Sequence, residues 1–225
     1  MPEATQEPAQ STDEPSGAET SKAAAQAEVA PEEERTFRRE DWYGEEFIGR
    51  RFVRCEFHEV DLTESVTRGA TFTDCVFGNV RFNASRHFHS AFTGCSFKRC
   101  NLFDAEFTGC KLVGSRFEEC SMRPLRVSGG DWSFVGLVRA DLRGVTFERV
   151  RMREADLAWA DGTDAVFSDV DLSGADLGNV KFARAELRGS DLSTLDPTQA
   201  ELAEAIVSPE QATVLVTSLG LHVRG

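Results

Sequence analysis

The sequence contains no apolar run approaching the roughly 18 residues that a helix needs to cross a membrane. It also lacks an excess of positive charge, since 25 Lys and Arg stand against 38 Asp and Glu, for a net charge of -13. Proteins that bind nucleic acids or anionic membranes directly need basic side chains to neutralise phosphate. The composition therefore argues against both kinds of binding and favours a basic protein as partner.

Motifs for catalysis and for cofactors are missing as well. The sequence has no G-x-S-x-G, P-loop, H-E-x-x-H or glycine-rich dinucleotide signature. We therefore expect neither enzymatic activity nor a bound cofactor, with an active site assembled on exposed faces as the alternative. The N-terminal MPEATQEPAQ lacks the basic and apolar segments of a secretory signal, so we expect a cytoplasmic protein.

Residues 1–35 contain almost no large apolar side chain and are rich in Ala, Glu, Pro, Gln, Ser and Thr. Nine of them are acidic and two are basic. Such a segment buries too little apolar surface to offset the entropy lost on ordering. We predict a disordered acidic tail over residues 1–35.

A large apolar residue then recurs at every fifth position from Trp42 to Leu192 with no change of phase. A second column of small residues, such as Cys75 and Ala140, lies two positions before each large one. A period of five matches neither the helix nor the strand repeat. Both columns face inward if each five-residue unit forms one side of a square coil, so that residues twenty apart stack at strand spacing. The pattern predicts an all-β solenoid.

Two units carry a family resemblance, ADLRG at 140–144 and ADLGN at 175–179. They resemble the A(D/N)LXX signature of pentapeptide-repeat proteins, and the same phase continues from residue 42 to residue 207. The resemblance implies a right-handed quadrilateral β-helix, which we assign to residues 36–207.

All six cysteines fall in the small inward column. Stacked coils would hold neighbouring thiols about 4.8 Å apart, slightly too far for a relaxed disulfide. Zinc ligands typically come as paired C-x-x-C units, which are absent here. We expect free, buried thiols and no metal site.

Three residues interrupt the large column, namely Thr67, His87 and Gly162. Thr67 and His87 lie twenty positions apart, so we expect a buried hydroxyl–imidazole pair; the alternative is a local distortion that exposes a binding surface. Gly162 leaves a side chain missing between Leu142 and Phe182, which is either a small dent or a tolerated decay of the repeat.

Charge is uneven along the coil. Residues 36–126 contain 13 acids and 14 bases, whereas residues 127–225 contain 16 acids and 9 bases. Residues twenty apart should form vertical acidic rows. The candidate partner-binding residues are Asp141, Asp156, Asp161, Asp164, Asp171, Asp176, Asp191 and Asp196. An acidic rod could occupy a DNA-binding saddle, because DNA itself is a densely negative rod; alternatively, Asp before the central Leu is only the family consensus.

Residues 208–225 read as a capping or dimerisation module with a helix and a short extended piece. Ser208, Pro209 and Gln211 have the order of a helix start with a capping box, and Gly220 is a stop. The predicted homodimer contacts are Ala212, Leu215, Val216, Leu219 and Leu221. Because a coil end exposes apolar interior, the alternative role of this helix is to cap a monomer.

A closer resemblance is carried by CSMRPL at 120–125, ADLRGV at 140–145, RMRE at 151–154 and VSPEQA at 207–212. These segments resemble the mycobacterial fluoroquinolone-resistance branch of the family, the MfpA type, and more distantly the Qnr proteins. That resemblance implies a head-to-head dimer and a DNA-mimicking rod that binds and inhibits DNA gyrase, and it raises the hypothesis of protection from fluoroquinolones. The alternative is a scaffold for another basic or nucleic-acid-processing protein.

Overall fold

A computed structural model describes residues 30–224. Within them the chain winds into the four-sided parallel β-solenoid that the period predicts. Each side takes five residues, and the sides follow one another as faces A, B, C and D before the chain returns to face A one coil higher. Neighbouring coils are therefore related by a shift of twenty residues, as in the pairing of Phe72 with Phe92.

Three faces carry parallel sheets. Face A comprises β1 (Glu32–Glu33), β4 (Arg51–Val53), β7 (Thr71–Thr73) and β10 (Ala91–Thr93). Face B comprises β2 (Thr36–Arg38), β5 (Glu56–His58), β8 (Val76–Gly78), β11 (Ser96–Lys98) and β13 (Arg116–Glu118). Face D comprises β3 (Glu46–Ile48), β6 (Val66–Arg68), β9 (Arg86–Phe88), β12 (Ala105–Thr108), β14 (Leu125–Ser128), β15 (Thr146–Glu148) and β16 (Val166–Ser168).

Face C, and the C-terminal parts of faces A and B, pair through single bridges instead of strands. On face C the bridges run from Asp41 to Ser121 and resume from Asp141 to Glu201. The local sequence accounts for much of this difference. A side that begins with Asp or Asn turns, because its carboxylate or amide oxygen accepts the backbone N–H two residues later, whereas sides such as Thr71–Thr73, with a β-branched residue before Phe, stay extended.

The interior is a set of ring stacks that changes to aliphatic side chains towards the C-terminus. On face B the Phe57 and Phe77 ring centroids lie 4.7 Å apart, and Phe97 and Phe117 continue the stack at 4.5 Å. Burying each such ring stabilises the fold by about 2–3 kcal/mol. Beyond Trp132 the same column is occupied mostly by leucines, which are also fully buried.

The corners of the coil place one residue per side in the left-handed region, two positions after the inward large residue. Glycine is the least strained residue there. Gly130, with φ 94°, lies in the small inward column and not at a corner, and a Cβ at this position would lie 2.1 Å from the Cys110 carbonyl oxygen. No larger residue fits between these two coils.

The polar pair and the glycine that interrupt the large column are both accommodated locally. The Thr67 hydroxyl lies 2.9 Å from His87 Nδ1, and Ser85 Oγ lies 2.9 Å from Nε2, so the imidazole is hydrogen-bonded on both sides within the core. At Gly162 there is no open dent: a Cβ there would lie 2.8 Å from the ring of Phe182, which occupies the space. Both breaks are absorbed inside the coil.

The cysteines are free thiols in the inward column; five are buried, and Cys120 is half-buried. Each donates to backbone carbonyl oxygens, for example Cys110 Sγ to His87 O at 3.2 Å. Burial raises the pKa of the Cys110 thiol to about 11. These side chains act as small core residues that also satisfy carbonyl groups.

The solenoid begins earlier than the predicted boundary at residue 36. Glu32–Glu33 pairs with β4, and Phe37 is the first buried ring, one side before Trp42. Glu32 forms ion pairs with Arg35 and Arg50, and the Arg35 guanidinium lies 4.8 Å from the Phe37 ring centroid. The acidic composition concealed this first side, since its charges are neutralised only in the folded coil. The rest of the predicted tail, residues 1–29, lies outside the described residues.

The C-terminal helix α1 (Pro209–Ser218) starts as predicted. Ser208 Oγ accepts from Gln211 N, and Gln211 Oε1 accepts from Ser208 N at 2.7 Å. The Gln211 amide also donates to Leu187 O and Ser190 O, both at 2.7 Å. These carbonyls belong to the end of the coil. The Gln211 side-chain amide therefore donates to them where the backbone N–H groups of a further coil would donate.

Candidate functional site: the acidic C-terminal coils

Most of the predicted partner-binding acids hold the backbone of their own side. Asp156 Oδ1 accepts from Ala158 N at 3.2 Å, and Asp176 Oδ1 accepts from Gly178 N at 2.9 Å. The same contact is made by Asp141, Asp161, Asp171, Asp191 and Asp196. Asp164 is different, because it occupies a left-handed corner. The carboxylates therefore have a structural role whatever they bind.

Half of these acids are neutralised by arginine. Arg143 donates from Nε and Nη2 to the two oxygens of Asp141 at 2.8 and 2.7 Å, and this hydrogen bonding lowers the pKa of Asp141. Arg184 holds Asp164 in the same way, at 2.7 Å for both contacts, and lowers its pKa. Asp171 is paired with Arg153, and Asp161 lies 3.9 Å from Arg143.

The other half forms no ion pair in the described chain. Within residues 30–224, Asp156, Asp176, Asp191 and Asp196 form no ion pair with Lys or Arg. We call these four the unpaired acids. They lie on faces A and B, whereas the arginine-paired acids lie mainly on face C and its corner. Among the eight predicted acids, those without an ion pair thus lie on two adjoining faces.

The predicted vertical rows differ in their regularity. Asp156 bridges to Asp176, and Asp141 bridges to Asp161. The row through Asp176 was expected to include Asp196, but no bridge joins these two within the part of the chain described. The chain turns locally there, because Asp196 O accepts from both Gln199 N and Ala200 N at 3.1 Å.

The predicted dimer contacts have two different environments. Leu215 packs against the buried core, and Ala212 and Val216 are half-buried. Leu219 and Leu221 are exposed, at 49% and 57%. Three further exposed apolar residues, which sequence reasoning missed, lie near them at this end: Ile206, Val214 and Val223. The sequence marks these three residues only by their apolar side chains, and no periodicity distinguishes them from core residues.

The described residues form no group of metal ligands, and their one hydroxyl–imidazole cluster is buried. No group of three or more His, Cys, Asp or Glu side chains within residues 30–224 could hold a metal ion. Ser85, His87 and Thr67 form a hydroxyl–imidazole cluster, but all three are buried, and burial lowers the pKa of His87 to about 3. None of the helices in this part of the chain is long and apolar enough to span a bilayer.

Comparisons with known proteins agree with this architecture. A model described as the pentapeptide repeat region matches residues 70–157, and one for pentapeptide repeats in eight copies matches residues 137–179 and 163–196. The chain is 34% identical over 106 residues to the pentapeptide repeat protein MfpA of Mycobacterium tuberculosis, which covers 47% of this chain and 55% of that protein. It is 37% identical over 62 residues to MfpA of Mycolicibacterium smegmatis, covering 28% of this chain and 30% of that protein. The matches therefore span about half, or less, of these relatives.

Among solved structures, a trypsin-treated variant of QnrB1, a plasmid-mediated fluoroquinolone resistance protein, superposes with a TM-score of 0.79. It is 20% identical, and the match covers 86% of this chain and 98% of QnrB1. Full-length QnrB1 gives a TM-score of 0.57 at 20% identity, covering 85% of this chain and 100% of that one. At this identity the likeness concerns the fold.

Proposed function

Because this chain belongs to the pentapeptide-repeat family, we propose that it is a non-enzymatic protein that binds DNA gyrase in place of DNA, inhibits it, and protects it from fluoroquinolones. The observation that carries the proposal is the group of unpaired acids, Asp156, Asp176, Asp191 and Asp196, on two adjoining faces of a rigid coil. A protein surface that binds DNA is positively charged and would attract these carboxylates. The proposal includes a cytoplasmic location, where the protein would meet its partner.

The similarity to MfpA and the shared fold with QnrB1 support the choice of gyrase. The unpaired acids support mimicry more directly than net charge does. Carboxylates already neutralised by arginine, such as Asp141 and Asp164, contribute little field at a distance. The four unpaired ones retain their charge for a partner.

A homodimer through the C-terminal end is part of the proposal. Leu219, Leu221 and Val223 leave apolar surface exposed beside the last coil, and exposed apolar patches of this kind mark interfaces. If two such ends meet, the unpaired acids of both copies lie near the centre of a longer rod.

Leu219→Glu tests the dimer. A charge in an apolar interface prevents association, so light scattering should give half the mass of the parent. Leu215→Glu is the contrasting variant, since Leu215 packs on the core and its replacement should also lower the melting temperature. A monomeric parent, or an unchanged mass for Leu219→Glu, contradicts the dimer.

The supercoiling reaction of purified gyrase tests the proposed partner. Relaxed plasmid and gyrase are incubated with increasing amounts of this protein, and in parallel with a fluoroquinolone, scoring supercoiled product and drug-stabilised DNA breaks. We expect both to decrease. Unchanged supercoiling at micromolar protein contradicts the gyrase assignment.

The second candidate function is a scaffold for another basic protein. It is favoured by Phe134 and Trp159, two exposed aromatic side chains beside the acids, because the outer surface of DNA presents phosphate rather than free rings. Binding of a basic protein with no effect on gyrase would select this candidate.

A further inference from the structure

Trp159 and Phe134 are exposed aromatic residues at strained corners of the coil. Their side chains are 56% and 53% exposed, and their φ angles are 63° and 60°. Bulky residues disfavour this left-handed conformation, which most other corners fill with Gly, Asn, Asp, Glu or Arg. Neither ring gains burial in return. Their backbones are nevertheless regular, since Phe134 N and Trp159 N each donate to the next coil at 2.8 Å.

These two corners flank the same face. Phe134 precedes the face B side that contains Gly136, and Trp159 follows the face B side that contains Asp156. Between them the outward positions are small or acidic, apart from Val138 and Arg139 beside Gly136. Gly136, Asp156 and Asp176 form one parallel ladder with coils about 4.8 Å apart, and Ala158 lies beside it. We call this surface the face B lane, defined by Phe134, Gly136, Asp156, Ala158, Trp159 and Asp176.

The charges around the lane are one-sided. Asp156 and Asp176 have no ion-pair partner in the chain described, and Arg139 is the one basic residue on the face B sides between residues 136 and 178. The adjoining faces differ, with Arg153 on face A and Arg143 on face C.

Cations border the lane only at its N-terminal end. Arg116 and Arg139 line a depression there together with Asp156, and the Arg116 side chain lies against Gly136. A bound segment would therefore have its positive charge directed towards Asp176.

We propose that the face B lane binds an arginine-bearing segment of a basic protein partner. Two aromatic rings flank a strip with two unpaired carboxylates and, beyond Val138 and Arg139 at its N-terminal end, little side-chain bulk. A planar guanidinium can stack on a ring and bind a carboxylate in a bidentate manner, and it is less strongly hydrated than an ammonium group. The lane thus discriminates arginine from lysine, which a purely electrostatic mimic of DNA does not do. The inference rests on the proposed function for the class of partner, and it specifies the face and the side-chain chemistry.

The test uses the full chain and two labelled peptides of equal length and charge, an Arg–Gly repeat and a Lys–Gly repeat, at low ionic strength. Fluorescence anisotropy reports binding. We expect the Arg peptide to bind about 5-fold more tightly than the Lys peptide, which is the size of effect that one cation stacked on an aromatic ring gives. Trp159 emission should change on binding, since Trp132 is fully buried and Trp42 packs on Phe37 in the first coil. Equal affinities for the two peptides contradict the proposal.

Variants locate the binding. Trp159→Ala should lower the affinity for the Arg peptide about 5-fold or more. The double variant Asp156→Asn with Asp176→Asn should lower it by a similar factor. Asn keeps the side-chain oxygen that accepts the backbone N–H of the turn, so the double Asn variant should have the melting temperature of the parent. The matched controls are Tyr43→Ala, an aromatic of equal exposure at 56%, and Glu201→Gln on face C; both should bind as the parent does. Equal losses in variants and controls overturn the lane.

The same proteins separate this inference from the proposed function. Inhibition of gyrase with no preference for the Arg peptide contradicts the lane and leaves gyrase binding in place. A preference for the Arg peptide with no effect on gyrase supports the lane and assigns it to another basic partner.

Discussion

The coils before and after Trp132 share one backbone path but differ in both interior and exterior. The earlier coils are filled with stacked phenylalanine rings, such as Phe77 on Phe97 at 4.8 Å, and are built mainly of strands. The later coils are filled with Leu and Ala and are joined mainly by single bridges between turns that Asp carboxylates hold. In the later coils, therefore, aspartate sets both the backbone conformation and the surface charge.

That double role changes how the acidic surface must be examined. Reversing Asp176 to Lys would remove a turn contact together with a charge, so loss of binding could reflect loss of structure. Substitution by Asn removes the charge and keeps the acceptor oxygen. Asn variants therefore test charge alone.

The interiors should differ most in stability. Phe97→Ala removes a ring stacked on Phe77 and Phe117 and should lower the free energy of unfolding by about 4 kcal/mol. Leu157→Ala, its counterpart among the later coils, should lower it by about 3 kcal/mol. Chemical denaturation measures both. A larger loss for Leu157→Ala would contradict the view that the ring stacks dominate.

Acid should weaken the earlier coils through His87. Burial lowers its folded-state pKa from 6.5 to about 3, so the unfolded chain binds a proton that the folded chain does not. Stability is therefore complete above the unfolded pKa of 6.5 and falls as the pH decreases towards 3. Between pH 7 and pH 4.5 this group should contribute a loss of about 2.5 kcal/mol.

The variant His87→Phe isolates that contribution. A phenyl ring suits this column, because Phe107, one coil further on, already stacks on the imidazole with 4.5 Å between the ring centroids. Other groups titrate equally in parent and variant, so the difference between their pH profiles is the readout. Parallel profiles would show that His87 does not carry the acid sensitivity.

The turn contacts should give the smallest effect. Asp176→Ala loses the hydrogen bond to Gly178 N and should lower the free energy of unfolding by about 1 kcal/mol, whereas Asp176→Asn should be within about 0.5 kcal/mol of the parent. Thermal melting distinguishes them. Equal melting temperatures for Ala and Asn would mean that the contact does not hold the turn.

The five-residue period was enough to predict the coil, its core and the buried thiols, because repetition fixes which side chains point inward. The first side at Glu32–Glu33 was missed because its charges are neutralised only by Arg35 and Arg50 in the folded state. The filling of the Gly162 position depended on the rotamer of Phe182, which no sequence pattern specifies.

The surface was less predictable than the core. The sequence marked all eight acids alike, since pairing depends on which arginine side chain reaches across a corner or a coil, as Arg184 does to Asp164 over twenty residues. The face B lane was equally hidden, because Phe134 and Trp159 are outside the repeat columns and become neighbours of the acids only through the coil.

The role of the unpaired acids can be measured by comparing how gyrase binds two Asn variants that have the same change in net charge. One carries Asn at the four unpaired acids, and the other carries Asn at the four arginine-paired acids, Asp141, Asp161, Asp164 and Asp171. Surface plasmon resonance should show binding lost in the first variant and retained in the second. Equal affinities in the two variants would contradict the claim that the unpaired carboxylates of faces A and B bind the partner.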